Sequence, residues 1–599
     1  MSDFRKLSPR DRIGVFVAWP YANGPLHLGH IAGAYLSPDI FARYHRLRGN
    51  QVLMVSGSDS HGTPITIRAE QEGVPPEEIF QRYHASFLDS FQRLGISFDL
   101  FTHTDTENHH AVAQDIFTRL LEKGHIYQEV MKQLYCEKES RFLPDRYVEG
   151  TCPHCGYEEA RGDQCDECGR PLDATELIEP RCKFDGTRPV VRETEHFFLD
   201  LAAFNERLLE WVGGKDYWRP NVLNFTLNLL RDGLRGRPIT RDIEWGIPVP
   251  LRGYGGKRIY VWFEAVIGYL SASMEWAKNR GEPERWREWW QGEAKGYYFI
   301  GKDNIPFHAI IWPAILMGYG GLNLPYDVPA NEYLNLEGRQ LSTSRNWAIW
   351  LPDYLSRYEP DPLRYYLTIN APESRDTDFS WYDFWRRNND ELVANWGNLA
   401  HRALTFSYRN FEGRVPEPGE LDEMDRALSE KIEGRFESIG ELIGACKFKA
   451  ALTETMSLTQ EVNRYLDRKE PWKVIADDRQ GAATSIYVAL RAIDSLKVLL
   501  YPFLPFSSQR LHEYLGYDSD LLGRQWVETY QEEMRSHQAL VYEPPIVHYP
   551  DTGKAEVTWA PSALPAGQAL RKPKPLFAKL DEGIVEEERA RLGQSEVGS

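Results

Sequence analysis

The chain has 599 residues, 42% of them hydrophobic, which allows several domains with sizeable cores. No apolar run approaches the roughly 20 residues needed to span a bilayer, and the start Met-Ser-Asp-Phe-Arg-Lys carries no secretory pattern, so a cytoplasmic protein with no membrane contact is predicted. A formal net charge of -18 excludes nucleic-acid binding by bulk electrostatics and restricts any such site to a local patch.

The apolar run Ile13–Ala18 predicts a first strand, and Trp19-Pro20-Tyr21-Ala22-Asn23-Gly24-Pro25-Leu26-His27-Leu28-Gly29-His30 follows it as a turn that opens a helix. Unpaired N–H groups at a helix start favour anions, Gly29 lets a nucleotide lie close to the backbone, and His27 and His30 supply donors beside its phosphates. A histidine pair alone proves little in a chain with 16 histidines; the preceding strand and internal glycine give it meaning. A second run, Val52–Val55, leads into Ser58-Asp59-Ser60-His61-Gly62-Thr63-Pro64-Ile65. Strand and helix alternate over roughly 10–125 and resume near 258–320, with Arg258–Phe263 and Gly296–Gly301 as the apolar runs, which predicts a parallel α/β sheet of Rossmann type split by a long insertion.

The insertion holds Cys152-Pro-His-Cys155-Gly and Cys165-Asp-Glu-Cys168-Gly, two knuckles nine residues apart. Seven cysteines is an odd count, and four of them in Cys-x-x-Cys pairs of a cytoplasmic chain point to metal, not disulfides. Four thiolates fill a tetrahedral zinc site and leave no position for substrate, so the expected metal is structural. Cys136 to Glu139 and Cys182 to Asp185 repeat the spacing, with a carboxylate where each second cysteine would be. They read as a degenerate knuckle pair, weakened as a soft-ligand site. Beyond about residue 385 the pattern turns helical, with stretches such as 430–464 and 480–500. The tail from about 545 is Pro-rich, then charged from Lys579, which predicts an extended strap with one short helix.

The histidine segment and the Asp59 block together resemble the signatures of class I aminoacyl-tRNA synthetases, the methionyl type in particular, and the resemblance continues in order to about residue 545. It implies a Rossmann-type catalytic domain split by a zinc-knuckle insertion and followed by an all-α anticodon-binding bundle. The expected divisions are 1–125 and 231–325 for the two catalytic halves and 126–230 for the insertion. They continue with 326–390 for the signature loop and stem-contact region, 391–545 for the helical domain and 546–599 for the tail. It implies methionine, ATP with Mg²⁺ and a methionine tRNA as ligands, and a methionyl-adenylate intermediate. ATP is assigned to Asn23, His27, Gly29 and His30, and to the loop Gln340-Leu341-Ser342-Thr343-Ser344. That loop matches the family's Lys-Met-Ser-Lys-Ser with both lysines replaced, by Gln340 and Thr343. Losing a preorganised cation there costs several kcal/mol, judged from other electrostatic contacts at ~3 to 4 kcal/mol, so Lys302, Arg339 and Arg345 are expected to compensate.

The resemblance assigns Asp59 to the methionine ammonium group and Trp19, Tyr21, Trp262, Ala265, Tyr269, Phe307, His308 and Trp312 to its side chain. Tyr21 and His308 are expected to reach the sulfur, and aromatic rings suit a thioether. Trp19 and Val266 depart from the family's usual Leu and Pro. In the helical domain Asn398 and Arg402, one turn apart, and Trp472 are assigned to the anticodon, whose unpaired bases take stacking and edge hydrogen bonds. Arg386, Arg387, Arg402 and Arg409 are the candidate basic patch, or ordinary solvated helix charges. A synthetase for leucine, isoleucine or valine would need a larger editing insertion, and a small adenylyltransferase would lack the knuckles and helical domain. The missing lysines motivate one alternative of another class, a weakly active or non-catalytic tRNA-binding paralogue. With no oligonucleotide-binding barrel after the helical domain, a monomer is expected.

Overall fold

The computed structural model describes residues 7–8, 11–143, 147–162, 165, 167–168, 172–343, 345–545 and 558–594. Seven strands form the central sheet: β1 (Arg12–Val17), β2 (Gln51–Ser58), β3 (Leu100–His103), β4 (Lys295–Gly301), β5 (Ala330–Asn331), β6 (Arg524–Gln531) and β7 (Ser536–Glu543), in the spatial order β5-β4-β1-β2-β3-β7-β6. The first five are parallel, with Val15 beside Tyr297 on one side and Met54 on the other. Their nearly unbroken apolar sequences are buried on both faces, as a helix-covered parallel sheet requires. Among the described residues no helix is long and apolar enough to cross a membrane.

Two expectations need correction. Residues 258–263 do not join the central sheet: Arg258–Ile259 pairs with Thr240–Arg241 in a two-stranded sheet, and Val261–Asn279 is a 19-residue helix. It is buried along most of its length, so its apolar run carries no helical stripe to distinguish it from a buried strand. The helical region also ends before 545. Residues 524–543 form the β6–β7 hairpin, and β7 pairs antiparallel with β3, which makes the sheet mixed. Between 423 and 500 the helices are Glu423–Glu433, Arg435–Gly444, Phe448–Lys469, Pro471–Val474 and Arg479–Leu500, so the predicted 430–464 stretch is interrupted twice.

A buried ion cluster locks the sheet and the helical region together. Asp39, on the helix behind β1, binds Arg43 at 3.0 Å and Arg364 at 2.6 Å; Arg43 donates to the Tyr501 hydroxyl at 2.7 Å, and Arg364 to the Pro502 and Phe503 carbonyls. Burial pushes the Asp39 carboxyl up, but Arg43, Arg364 and Ser97 outweigh it and hold the group at about 2. Removing one partner of such a network costs ~3 to 5 kcal/mol.

In the insertion, the strands Ile126–Cys136 and Val190–Leu199 make a long antiparallel ribbon. Its far end carries a second, small core that includes Cys136, Cys152, Cys165 and Cys182. The tail follows the expected form, extended from 558 and helical over Ile584–Arg591.

Candidate active site

β1 ends at Val17, and the helix begins at Leu28 with His27 as its N-cap. The His27 Nδ1 accepts the Gly29 N–H at 3.1 Å, and the His30 Nδ1 accepts the His27 N–H at 3.1 Å. Both rings therefore carry their proton on Nε2, the atom left to meet an anion. The rings stack at 3.8 Å, and burial lowers both pKa values, His30 to about 4, so neutral imidazoles donate here. The helix continues through a wide turn, Ile31–Tyr35, in which Leu36 N–H reaches back to the Ile31 carbonyl. Such turns are frequent at functional sites.

The signature loop is built against this turn. Leu334–Leu336 and Arg339–Gln340 form a short hairpin, closed further on by reciprocal bonds between Ser342 and Trp347. Leu28 N–H donates to the Ile349 carbonyl at 3.1 Å and Leu351 N–H to the Leu26 carbonyl at 2.7 Å, so backbone pairing joins the two signature elements. Leu341 lies over Gly29: a β-carbon on Gly29 would fall 2.5 Å from Leu341 Cδ1 and 2.9 Å from His27 Cε1. Arg339, Gln340, Thr343 and Arg345 are exposed, and the Arg339 guanidinium covers the Trp347 ring at 4.8 Å. Ser344 lies outside the described residues. Lys302 stands on the cavity wall, but its ammonium is held by Glu332 at 2.8 Å and Asp376 at 2.9 Å. It is therefore already neutralised, contrary to the expectation that it stands in for a missing loop lysine.

A cavity of about 990 Å³ opens beside Lys302 and the first residues of the histidine turn, Ala18, Trp19 and Tyr21. Trp19, Tyr21, Asp59, Trp262, Ala265, Tyr269, Phe307 and His308 line it. Trp312 does not: it is fully buried, donates to the Tyr298 hydroxyl at 3.0 Å and packs on Trp290. The segment Phe307–Ile311 is a wide helical turn, with Trp312 N–H bonded to the Phe307 carbonyl, so Ile311 faces the cavity and Trp312 turns into the core. His308 also departs from its predicted role. Its Nδ1 donates to the Asn304 carbonyl at 2.9 Å and its Nε2 accepts the Tyr269 hydroxyl at 2.7 Å. Burial keeps it neutral, at about 4, and neither nitrogen is left for a sulfur. Trp19 is accommodated by two glycines whose β-carbons would strike its indole, Gly57 at 2.2 Å and Gly268 at 2.6 Å.

Asp59 is 3% exposed and accepts the His61 N–H at 3.2 Å. Behind it lies a charge network that sequence reading missed, although His61 stands in the same block. His61 Nδ1 meets Glu264 at 2.8 Å, its Nε2 lies 3.5 Å from Asp105, and His109 binds the other Glu264 oxygen at 2.7 Å. Burial opposes charge on His61, but Glu264 and Asp105 prevail and raise it to about 10. Burial and Glu264 push the Asp59 carboxyl well above the usual range, and His61 draws it down.

The four cysteines converge in the small core of the insertion, apart from the histidines. Cys152 Sγ lies 3.9 Å from Cys168 Sγ and Cys155 Sγ 3.6 Å from Cys165 Sγ, with all four sulfurs within 4.8 Å of one another. A tetrahedron with Zn–S bonds of ~2.3 Å has edges of about 3.8 Å, so the donor set fits that ion. Of the degenerate pair, Cys136, Cys182 and Asp185 come within 4.8 Å of one another, whereas the Glu139 carboxylate lies 3.9 Å from Arg141.

On the helix Asn398–Asn410, Arg402 reaches Asp467 at 3.2 Å and lies over the Trp472 ring at 4.4 Å, with Asn398 exposed one turn earlier. Arg386 and Arg387 pair with Asp383, and Arg387 also with Glu391, so they form no free basic patch.

A family model described as "tRNA synthetases class I (M)" matches residues 13–404, and one for the anticodon binding domain of methionyl tRNA ligase matches 415–549. The chain belongs to the methionyl class I aminoacyl-tRNA synthetases. It is 62% identical to the methionine–tRNA ligase of Thermomicrobium roseum over 584 residues, covering 97% of this chain and 99% of that protein. It is 57% identical to that of Roseiflexus castenholzii over 592 residues, with 97% and 99% covered. The fold matches that of Mycobacterium tuberculosis methionyl-tRNA synthetase in complex with methionyl-adenylate, at TM-score 0.73 and 25% identity, over 95% of this chain and 99% of that one. The likeness to these synthetases extends through the helical region to the β6–β7 hairpin.

Proposed function

We propose that this chain ligates L-methionine to its cognate tRNA through a methionyl-adenylate. The methionine carboxylate attacks the α-phosphorus of ATP and pyrophosphate leaves; a hydroxyl of the terminal tRNA ribose then attacks the acyl carbon and AMP leaves. The observation that carries this reading is the meeting of His27, His30 and Leu341 at the far end of the turn whose first residues, Trp19 and Tyr21, line one cavity with Asp59 and Trp262. The two Nε2–H donors hold the phosphates without adding charge, and Asp59 pairs with the substrate ammonium. Trp262 and Phe307, edge to face at 5.2 Å, supply an apolar slot for the thioether. No group need act as acid or base; positioning and charge stabilisation carry the rate. Mg²⁺ entering with ATP supplies further neutralisation of the phosphates. Zinc on Cys152, Cys155, Cys165 and Cys168 braces the insertion, and Asn398, Arg402 and Trp472 meet the anticodon.

The non-catalytic alternative has little support, since identity to methionine–tRNA ligases runs the length of the chain. Methionine-dependent ATP–pyrophosphate exchange tests the proposal. Exchange by the parent that falls by about 10²- to 10³-fold in His30→Ala, the size of a lost transition-state donor, supports it. A parent chain with no exchange overturns it.

A further inference from the structure

The tail makes contacts that the reaction so far has no use for. Trp559 N–H donates to the Leu47 carbonyl and its indole packs between Tyr44 of the catalytic part and Phe436 of the helical part. The chain then runs out along the helical region, where Gly567 and Leu570 pair with Val415 and Gly413, and turns back beside the helical segment 388–397. There Leu580 exchanges two hydrogen bonds with the Asn389 side chain, both 2.9 Å, and accepts the Trp385 indole N–H. It ends on the signature hairpin. In the helix Ile584–Arg591, buried Glu588 accepts from Arg357 Nε and Nη2 at 2.9 Å each and from the Tyr358 hydroxyl at 2.8 Å. Arg589 meets Glu337, at the turn of the hairpin, at 2.9 Å. Gly593 N–H then donates to the Asn346 carbonyl at 3.0 Å, just beyond the loop and against the Trp347 ring.

We propose that this strap is a positioning element of the adenylation site, its last helix holding the signature hairpin over Gly29. The inference rests on the function proposed above. Its logic comes from the two replaced lysines. A loop that carries cations is drawn onto the ATP phosphates by charge, whereas Gln340 and Thr343 provide no such pull. Fixing the loop from outside, at Glu337 before it and Asn346 after it, supplies its geometry before ATP arrives. Arg589, Glu588 and Gly593 touch no substrate and act through the hairpin. On the path past 388–397, Phe577 packs against Gly397.

Pyrophosphate exchange, methionine titration and limited trypsin digestion are measured on the full chain, on a form ending at Leu580, and on Arg589→Gln, Glu337→Gln and their double variant. The expected result is a fall in exchange kcat of about tenfold with methionine affinity within about twofold, because a misplaced loop costs rate and the Asp59 pocket is untouched. Trypsin should cut after exposed Arg339 and Arg345 several times faster, roughly in step with loop opening. The double variant should be no slower than either single one, as two ends of one contact require. Exchange and digestion rates equal to the parent's overturn the proposal, and so does a loss falling equally on methionine affinity. A parent chain without exchange would instead defeat the functional reading itself.

Discussion

Gly268→Ala sets two opposing effects against each other. Gly268 lies mid-helix in Val261–Asn279, where replacing glycine by alanine ordinarily stabilises by ~0.5 to 1 kcal/mol. Here the new β-carbon would stand 2.6 Å from Cε2 and Cζ2 of Trp19, inside any tolerable carbon contact. The indole is boxed from the other side by Gly57, whose own β-carbon would lie 2.2 Å from Cζ3, so it can yield only toward the cavity it lines. Overpacking of this kind costs ~1 to 3 kcal/mol, enough to erase the helical gain. The displaced ring should raise the methionine KM about five- to tenfold, or ~1 to 1.4 kcal/mol. In a Trp19→Leu background the clash is gone, and Gly268→Ala should leave KM unchanged and raise Tm. A chain of several domains does not unfold in one step, so the cycle is best run on methionine affinity from pyrophosphate exchange. Coupling of ~1 kcal/mol or more is expected; effects that add within ~0.5 kcal/mol would refute the seating of Trp19 on Gly268.

Methionine affinity should fall as the pH is lowered while still above the ordinary carboxylate range, because the ammonium needs an ionised Asp59 whose pKa burial and Glu264 have raised. His61, at about 10, stays charged over that window and His30, at about 4, stays neutral, so neither contributes slope. Calorimetric titration should show the slope for methionine and none for its deaminated analogue; equal slopes would assign it elsewhere. Arg402→Ala should lower kcat/KM for tRNA aminoacylation by roughly 10- to 100-fold, the ~1 to 3 kcal/mol of a lost stacking contact, while pyrophosphate exchange stays at the parent level. Cys165→Ser should lower the zinc content found by elemental analysis and expose the insertion to protease, since metal binding in such a site is folding free energy. Full zinc retention would exclude Cys165 as a ligand.

The chemistry was legible where it is local. The histidine turn and the two knuckles each occupy a few consecutive residues marked by their spacing, and the Asp59 block is marked by the family resemblance it carries. What could not be read depends on phase or on distant partners. The wide turn at Phe307–Ile311 rotates Trp312 into the core, and no periodicity drawn at 3.6 residues per turn anticipates it. The helix at 261 hides because burial on nearly every side removes its polar stripe. The β6–β7 hairpin carries charged and polar residues at an edge, and its sheet partner, Phe101 beside Leu540, is far away in sequence. Trp19 looked like a disturbance of the pocket, and the glycines that absorb it, at 57 and 268, have no sequence relation to it.

The same distant hairpin ties the Asp59 cavity to the end of the sheet. Glu532, at its tip, accepts the Glu107 and Asn108 N–H groups, while Glu107 accepts those of Glu533 and Met534. Arg535 then meets Asp105 at 2.8 Å, the carboxylate that faces His61. A buried carboxylate beside a buried imidazolium is stable only where each charge has its partner, so the pocket's electrostatics rest on a residue that lies beyond the helical domain in sequence. The Asp59 block and the substituted loop are thus both braced from behind by late segments of the chain, the first through Arg535 and the second through the strap. An acidic chain whose loop lacks the family's two lysines can keep a competent site if geometry replaces charge, and on the proposal above these late segments supply that geometry.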